Sequence, residues 1–128
     1  MLGDLIITID PNSQTPLYRQ IYSQIVGAIA TGRLLPGDRL PSLRVLAGLL
    51  DVNYHTVNEA YEMLRQEGFI TLMNRKKYIV SPRKPDDEKR KRVLEDLHES
   101  VIKAAALGIS YDEIYNMTRK FFNGEDAH

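Results

Sequence analysis

The chain has 128 residues, 43% hydrophobic and 27% charged, with 17 basic and 17 acidic side chains and no cysteine. That fits one compact domain, or a small domain with an appendage, and no apolar run approaches the ~20 residues that span a bilayer. Disulfides and thiolate metal sites are excluded, the opening MLGDLIITID lacks the basic region of a signal peptide, and a reducing cytoplasm is the compartment expected.

The zero net charge divides unevenly along the chain. Residues 1–84 hold ten Lys/Arg against seven Asp/Glu, and residues 85–128 hold seven against ten. Within 11–84 the basic excess reaches five. Cations therefore gather in one part, where they suit phosphate, and the acidic excess sits where it need not meet phosphate.

In chain order, Leu5 to Ile9 is a β-branched run that reads as a short strand, closed by turn residues Asp10 to Ser13. Thr15 as N-cap and Pro16 at the first helical position start a helix whose buried stripe is Leu17, Ile21, Ile25, Ala28 and Ile29, with Gly32 beyond its end. Arg33 to Arg39 is a connector with a Pro-Gly turn.

From Leu40 to Phe69 the pattern is two helices and a tight turn. Ser42 caps the first, whose inner face is Leu43, Leu46, Ala47 and Leu50. Asn53 caps the second, whose inner face is Val57, Ala60, Tyr61 and Leu64. Tyr54, His55, Thr56 and Asn58 crowd the first turns of that second helix, mostly off the apolar face. Amide, imidazole and hydroxyl groups at a helix start suit the base edges of a major groove, with backbone N–H groups toward phosphate. The same residues also fit an ordinary helical hairpin with solvated ends.

Gly68 stops the second helix. Phe69 to Met73 and Tyr78 to Val80 then read as a β-hairpin around Asn74-Arg75-Lys76-Lys77, a wing whose tip carries three adjacent cations. Residues 81–85 form a linker. A long helix follows from Asp86, with Asp86, Asp87 and Glu88 near its positive end and apolar positions Val93, Leu94, Leu97, Val101, Ala104 and Ala105. Gly108 ends it, and Ser110 to Glu113 is a capping box for a last helix expected to bury Tyr111, Ile114, Tyr115, Thr118, Phe121 and Phe122. An antiparallel pair of this size cannot cover both stripes alone. Packing on the head, pairing with a second copy and binding another protein are the three outcomes, and self-pairing is preferred. A two-fold dimer presents two reading heads to a palindromic site.

The runs PLYRQI (16–21), GRLLPGDRLPSLRVLA (32–47), TVNEAYEML (56–64) and EGFI (67–70) strongly resemble the N-terminal domain of GntR-family transcriptional regulators. The resemblance covers about residues 5–80, and the short two-helix remainder looks like the YtrA-like subfamily. It implies a mainly α fold with a small β wing: a winged helix–turn–helix head at 1–80, a linker, and an antiparallel helical hairpin at 86–128. It further implies a homodimer that represses by occupying a palindromic operator, with transporter operons as frequent targets of the subfamily. By the same resemblance Arg44 meets DNA from the helix before the recognition helix. The implied DNA-contacting set is Ser42, Arg44, Asn53, Tyr54, His55, Thr56 and Asn58, with Arg75, Lys76 and Lys77 of the wing. The implied dimer surface is Val93, Leu94, Leu97, Val101, Tyr111, Ile114, Tyr115, Thr118, Phe121 and Phe122.

Two departures stand out. Tyr54 occupies a place where many relatives carry arginine, which removes a bidentate contact to guanine there. The usual Gly-x-Gly of the wing is Arg75 and Lys77 here, leaving Asn74 as the residue expected to turn left-handed.

Catalysis is not expected. There is no Gly-rich phosphate loop or nucleophile elbow, and His55, His98 and His128 lack metal-ligand spacing. No cofactor or metal is implied, no residue specifies a small-molecule effector, and the competing reading is a winged-helix protein-docking module.

Overall fold

The computed structural model describes residues 6–125; Leu5 of the opening run and His128 lie outside the described residues. The chain divides into two compact units, Met1–Arg83 and Lys84–His128.

The first unit contains α1 (Leu17–Ala30), α2 (Leu43–Leu50), α3 (Tyr54–Gln66), β1 (Ile70–Met73) and β2 (Lys77–Val80). Its core is Ile21, Ile25, Ala28 and Ile29 of α1, Leu46 and Ala47 of α2, and Val57, Ala60, Tyr61 and Leu64 of α3. Leu34, Leu40, Ile70, Tyr78 and Val80 complete it. The helical stripes read from spacing are thus the faces that lose water, while Leu17, Leu43 and Leu50 end half-buried. Both α1 and α2 pack against α3, which is the central helix of the unit.

Several details differ from expectation. Residues 6–10 form no strand. Instead Gln24 bonds both the N–H and the carbonyl of Thr8, and Gln20 does the same for Asp10. Side-chain amides of α1 take the place of a partner strand, and Ile7 and Ile9 turn in against the core. Pro16 is the N-cap of α1 rather than its first residue, and no side chain caps it. The Pro16 carbonyl accepts from Arg19 and Gln20, while Thr15 offers its carbonyl to the Gln20 side chain.

The connector does more than link. Leu35-Pro36-Gly37-Asp38 is a turn with Gly37 at φ 90 and an Asp38 N–H to Leu35 carbonyl bond of 2.9 Å, a type II arrangement in which glycine is needed at the third place. Arg39 then bridges antiparallel to Ile79 and makes a short third edge on the wing sheet, flanked by bonds from Val80 to Asp38 and from Leu40 to Tyr78. In the wing itself, Ile70 pairs with Val80 and Met73 with Lys77, so Phe69 precedes the sheet and Lys77 belongs to the second strand. The tip is Asn74-Arg75-Lys76. Both Asn74 (φ 53) and Arg75 (φ 62) are left-handed, so the loss of glycine at Arg75 did not move the turn away from positive φ. Tight hairpins favour turns with two left-handed central residues because their twist matches that of the strands.

The second unit contains α4 (Asp87–Ala106) and α5 (Tyr111–Phe122). Asp86 caps α4 by accepting from the Lys89 N–H at 2.7 Å, and Ser110 caps α5 by accepting from Glu113 at 3.1 Å. Gly108 at φ 86 closes α4, with Ile109 N–H bonding back to the Ala104 carbonyl. The burial expected for the last helix is not found. No residue of α4 or α5 is buried; Tyr111 is 75% exposed, Phe122 81% and Leu97 58%. The physical reason is that two helices offer each other at most one covered side, and α4 with α5 is not among the closely packed element pairs. Among the described residues, no helix is long and apolar enough to cross a membrane.

Candidate nucleic-acid interface

The turn between α2 and α3 decides which way α3 faces. Asp51 ends α2 in a left-handed conformation (φ 55), and the Val52 N–H bonds back to Ala47. Asn53 then sits extended, its side-chain oxygen accepting from the His55 N–H at 2.8 Å. From there the core claims one side of α3, with Val57, Ala60, Tyr61 and Leu64 each fully buried. At 3.6 residues per turn the opposite side carries His55, with Asn58 on its flank, while Tyr54, three residues before Val57, stands at the edge of the buried face and is exposed because it opens the helix. Asn53, Tyr54 and His55 are exposed, and Thr56 and Asn58 are half-exposed on the flank.

Tyr54 and His55 form an edge-to-face pair with ring centroids 5.6 Å apart, which the linear sequence did not reveal. Tyr54 stays 44% exposed, so its ring is steadied by a neighbour without leaving solvent. Further along the same side lie Glu59 and Glu62, the latter held by two bonds from Arg65 at 2.9 and 3.2 Å. Those bonds keep the Glu62 carboxyl below its ordinary range and occupy the Arg65 guanidinium. The polar, uncharged character of α3 is therefore confined to its beginning, where the helix dipole favours anions.

Ser42 caps α2 through its hydroxyl, which accepts from Val45 at 3.2 Å, so its oxygen is engaged in structure. Arg44 is exposed on the outer side of α2. A buried bond ties the segment that enters α2 to α3: the Tyr61 hydroxyl donates to the Pro41 carbonyl at 2.8 Å. Burial pushes the Tyr61 phenol well above its ordinary pKa. The Tyr61 ring in turn meets Tyr78 of β2 edge-on at 4.9 Å, and this contact seats the wing against the recognition helix. Beyond Tyr78 the wing leaves the core, and Met73 to Lys77 are all exposed.

Sequence reasoning thus identified the residues at the surface but missed those that place them. The sequence marks Tyr61 only as an apolar-face residue, Tyr78 only as a strand residue and Arg39 only as part of a connector. The alternation of Tyr78 and Val80 inward with Lys77 and Ile79 outward was the available signal for the wing contact. On the tail, the expected stripe residues share α4 and α5 but are joined in exposure by Ile102, Leu107 and Met117, which lie off those stripes. Thr118 turns its hydroxyl back to the Ile114 carbonyl at 3.0 Å. Among the described residues, no three His, Asp or Glu side chains gather as a metal site would require.

Comparison with known proteins places this geometry. The family described as "bacterial regulatory proteins, gntR family" matches residues 17–80. The chain is similar to the HTH-type transcriptional repressor YtrA of Bacillus subtilis (strain 168), at 36% identity over 90% of this chain and 91% of that protein. It is similar to the solved structure of YtrA from Sulfolobus acidocaldarius, a GntR-family transcription factor, at 46% identity and TM-score 0.59, covering 73% of this chain and 98% of that one. It is also similar to a transcriptional antiterminator from Listeria monocytogenes EGD-e, at 26% identity and TM-score 0.78, covering 92% and 90% of the two chains.

Proposed function

The chain belongs to the GntR family of bacterial regulatory proteins, DNA-binding regulators of transcription, and from that premise we propose that it works as a homodimeric repressor occupying a palindromic operator. Its relatives regulate transcription and are not enzymes. The observation that carries the reading is the division of α3: four fully buried residues hold one side to the core, while Asn53, Tyr54 and His55 stand exposed at its start.

In this reading Asn53, Tyr54, His55, Thr56 and Asn58 meet base edges, Arg44 and Ser42 meet the flanking backbone, and the wing cations meet phosphate. The tail joins the two copies. With Leu97, Val101, Tyr115 and Phe121 left in water, a second copy supplies the cover that the chain cannot give itself. Repression follows from occupancy, which needs no chemistry at the site. The YtrA-like resemblance points to a transporter operon as target and to the cytoplasm as the place of action. An effector acts on such a dimer only by binding one arrangement of the heads better than another.

Selection of duplexes from a random pool tests the reading. The expected product is a palindrome with half-sites a helical turn or a multiple apart, about 34–36 Å per turn, and an affinity that falls steeply with salt. A pool with no enriched duplex, or binding indifferent to salt, would leave the head as a protein-docking module.

A further inference from the structure

Two attachments hold the chain where it leaves the head. Ser81 extends the wing ladder by one residue: its N–H donates to the Phe69 carbonyl at 3.0 Å, and its hydroxyl meets that of Thr71 at 2.7 Å. Pro82 has no N–H, so the ladder stops there. The second attachment is made by a side chain. The Arg83 guanidinium donates to the carbonyl of Ile29, in the last turn of α1 and 54 residues earlier in the chain.

That carbonyl is a natural seat for a cation. The end of a helix gathers partial negative charge from its unpaired carbonyls, and α1 has no basic residue in its last turn. Arg33, just past the helix, bonds to the Thr31 hydroxyl instead. Ile29 is buried while Arg83 is exposed, so the guanidinium reaches in from the surface.

Little chain follows Arg83 before the next helix. Asp86 is already the N-cap of α4, which leaves Lys84 and Pro85 between the Arg83 bond and that cap. Without the bond the last fixed point is Ser81, and the free run grows to Pro82, Arg83, Lys84 and Pro85. Two added residues at ~3.3 Å each lengthen the reach by about 7 Å per head, or roughly two base pairs at ~3.4 Å per pair.

We propose that Arg83 is a positioning residue: by pinning the exit of the chain to the end of α1, it limits which separations of half-sites the two heads of a dimer can occupy together. The inference rests on the dimeric operator reading above. A linker that cannot span a given separation brings no second contact, whatever the affinity of each head. The longer run of an unpinned chain spans more separations. It also gives each head room for the rotation of about 35° that every added base pair demands.

The test uses the full-length chain, Arg83→Met, and Lys84→Met as a control that removes the same charge one residue later. Affinities are measured for the selected palindrome, for the same palindrome with two base pairs inserted at its centre, and for a single half-site. Wild type and Lys84→Met should lose roughly tenfold or more on the insertion, and Arg83→Met less than about threefold. Half-site affinity and melting temperature should be the same in all three. In the DNA-free protein, nitrogen-15 relaxation should give the Arg83 position an order parameter of about 0.85 in wild type and below about 0.6 in Arg83→Met. Equal discrimination against the insertion in Arg83→Met and wild type, or its loss in Lys84→Met, overturns the proposal and leaves the operator reading intact. So does an Arg83 amide already mobile in wild type. A fall in the half-site affinity of Arg83→Met marks a change in the head itself and counts against the proposal. Failure of wild type to select any palindrome overturns both.

Discussion

Tyr61→Phe isolates one bond. The ring remains, so the edge-on contact with Tyr78 at 4.9 Å survives, and only the hydroxyl that donates to Pro41 at 2.8 Å is lost. Tyr61 is fully buried and Pro41 is buried, so water does not readily replace the missing donor. Loss of a net hydrogen bond is worth about 1 kcal/mol, and a stranded buried carbonyl adds about 1 kcal/mol more, giving roughly 2 kcal/mol of destabilisation. With a urea slope of about 2 kcal/mol per molar, the midpoint falls by about 1 M at unchanged slope. Wild type and variant must be compared at one protein concentration, because association shifts apparent stability by mass action. Circular dichroism of helix content during urea titration reads this directly. A midpoint within ~0.2 M of wild type would mean that the bond contributes almost nothing net, below the usual range, and that α2 is anchored by packing alone.

Four further outcomes are expected. Arg44→Ala should weaken operator binding by about 1–3 kcal/mol with the fold intact; wild-type affinity in a gel-shift titration would remove Arg44 from the interface. Lys76→Ala should reduce the log–log salt slope by about 1, and an unchanged slope would put the wing tip away from phosphate. Leu97→Asp or Phe121→Asp should give monomers that hold a half-site weakly, and sedimentation showing an intact dimer would refute the tail's role. Alkaline pH should unfold the head: burial, with a hydrogen bond to Glu67, pushes Tyr22 up to about 12, and burial raises Tyr61 and Tyr78 as well. A raised folded-state pKa favours the neutral phenol, so this stability is complete below about pH 10, the unfolded value, and is lost as pH climbs through the folded values. Helix signal that stays flat while every phenol ionises near pH ~10 would contradict the burial of these rings.

The helical faces were legible because periodicity reports burial directly. Val57, Ala60, Tyr61 and Leu64 could be placed in the core before any coordinates, and with them the outward side of α3. Caps were equally readable at Ser42, Asn53 and Ser110, where the side-chain chemistry is local. What could not be read depends on partners distant in sequence. Leu5 to Ile9 looks like a strand from composition, yet whether the backbone from Ile6 onward meets another strand or the amides of Gln20 and Gln24 is a tertiary matter. Arg39 joins the wing sheet through Ile79, forty residues away in the chain. Arg75 adopts a conformation its own preferences oppose, because the twist of the hairpin outweighs the residue. In the tail, spacing correctly shows an apolar stripe on α5 but cannot say whether a chain's own atoms or another's will cover it.

The two glutamines of α1 show how a helix can measure out an extended segment. Four residues of helix advance ~6 Å and two residues of extended chain ~6.8 Å, so Gln20 and Gln24 meet Asp10 and Thr8 with less than an ångström of mismatch. The two repeats are commensurate only with a stagger that keeps Ile7 and Ile9 inward; slipping by one residue would turn both isoleucines to water. Along this seam the amides also occupy the very groups through which a neighbouring molecule could zip on as a strand, so the register of the segment and its resistance to edge-wise aggregation come from the same pair of side chains.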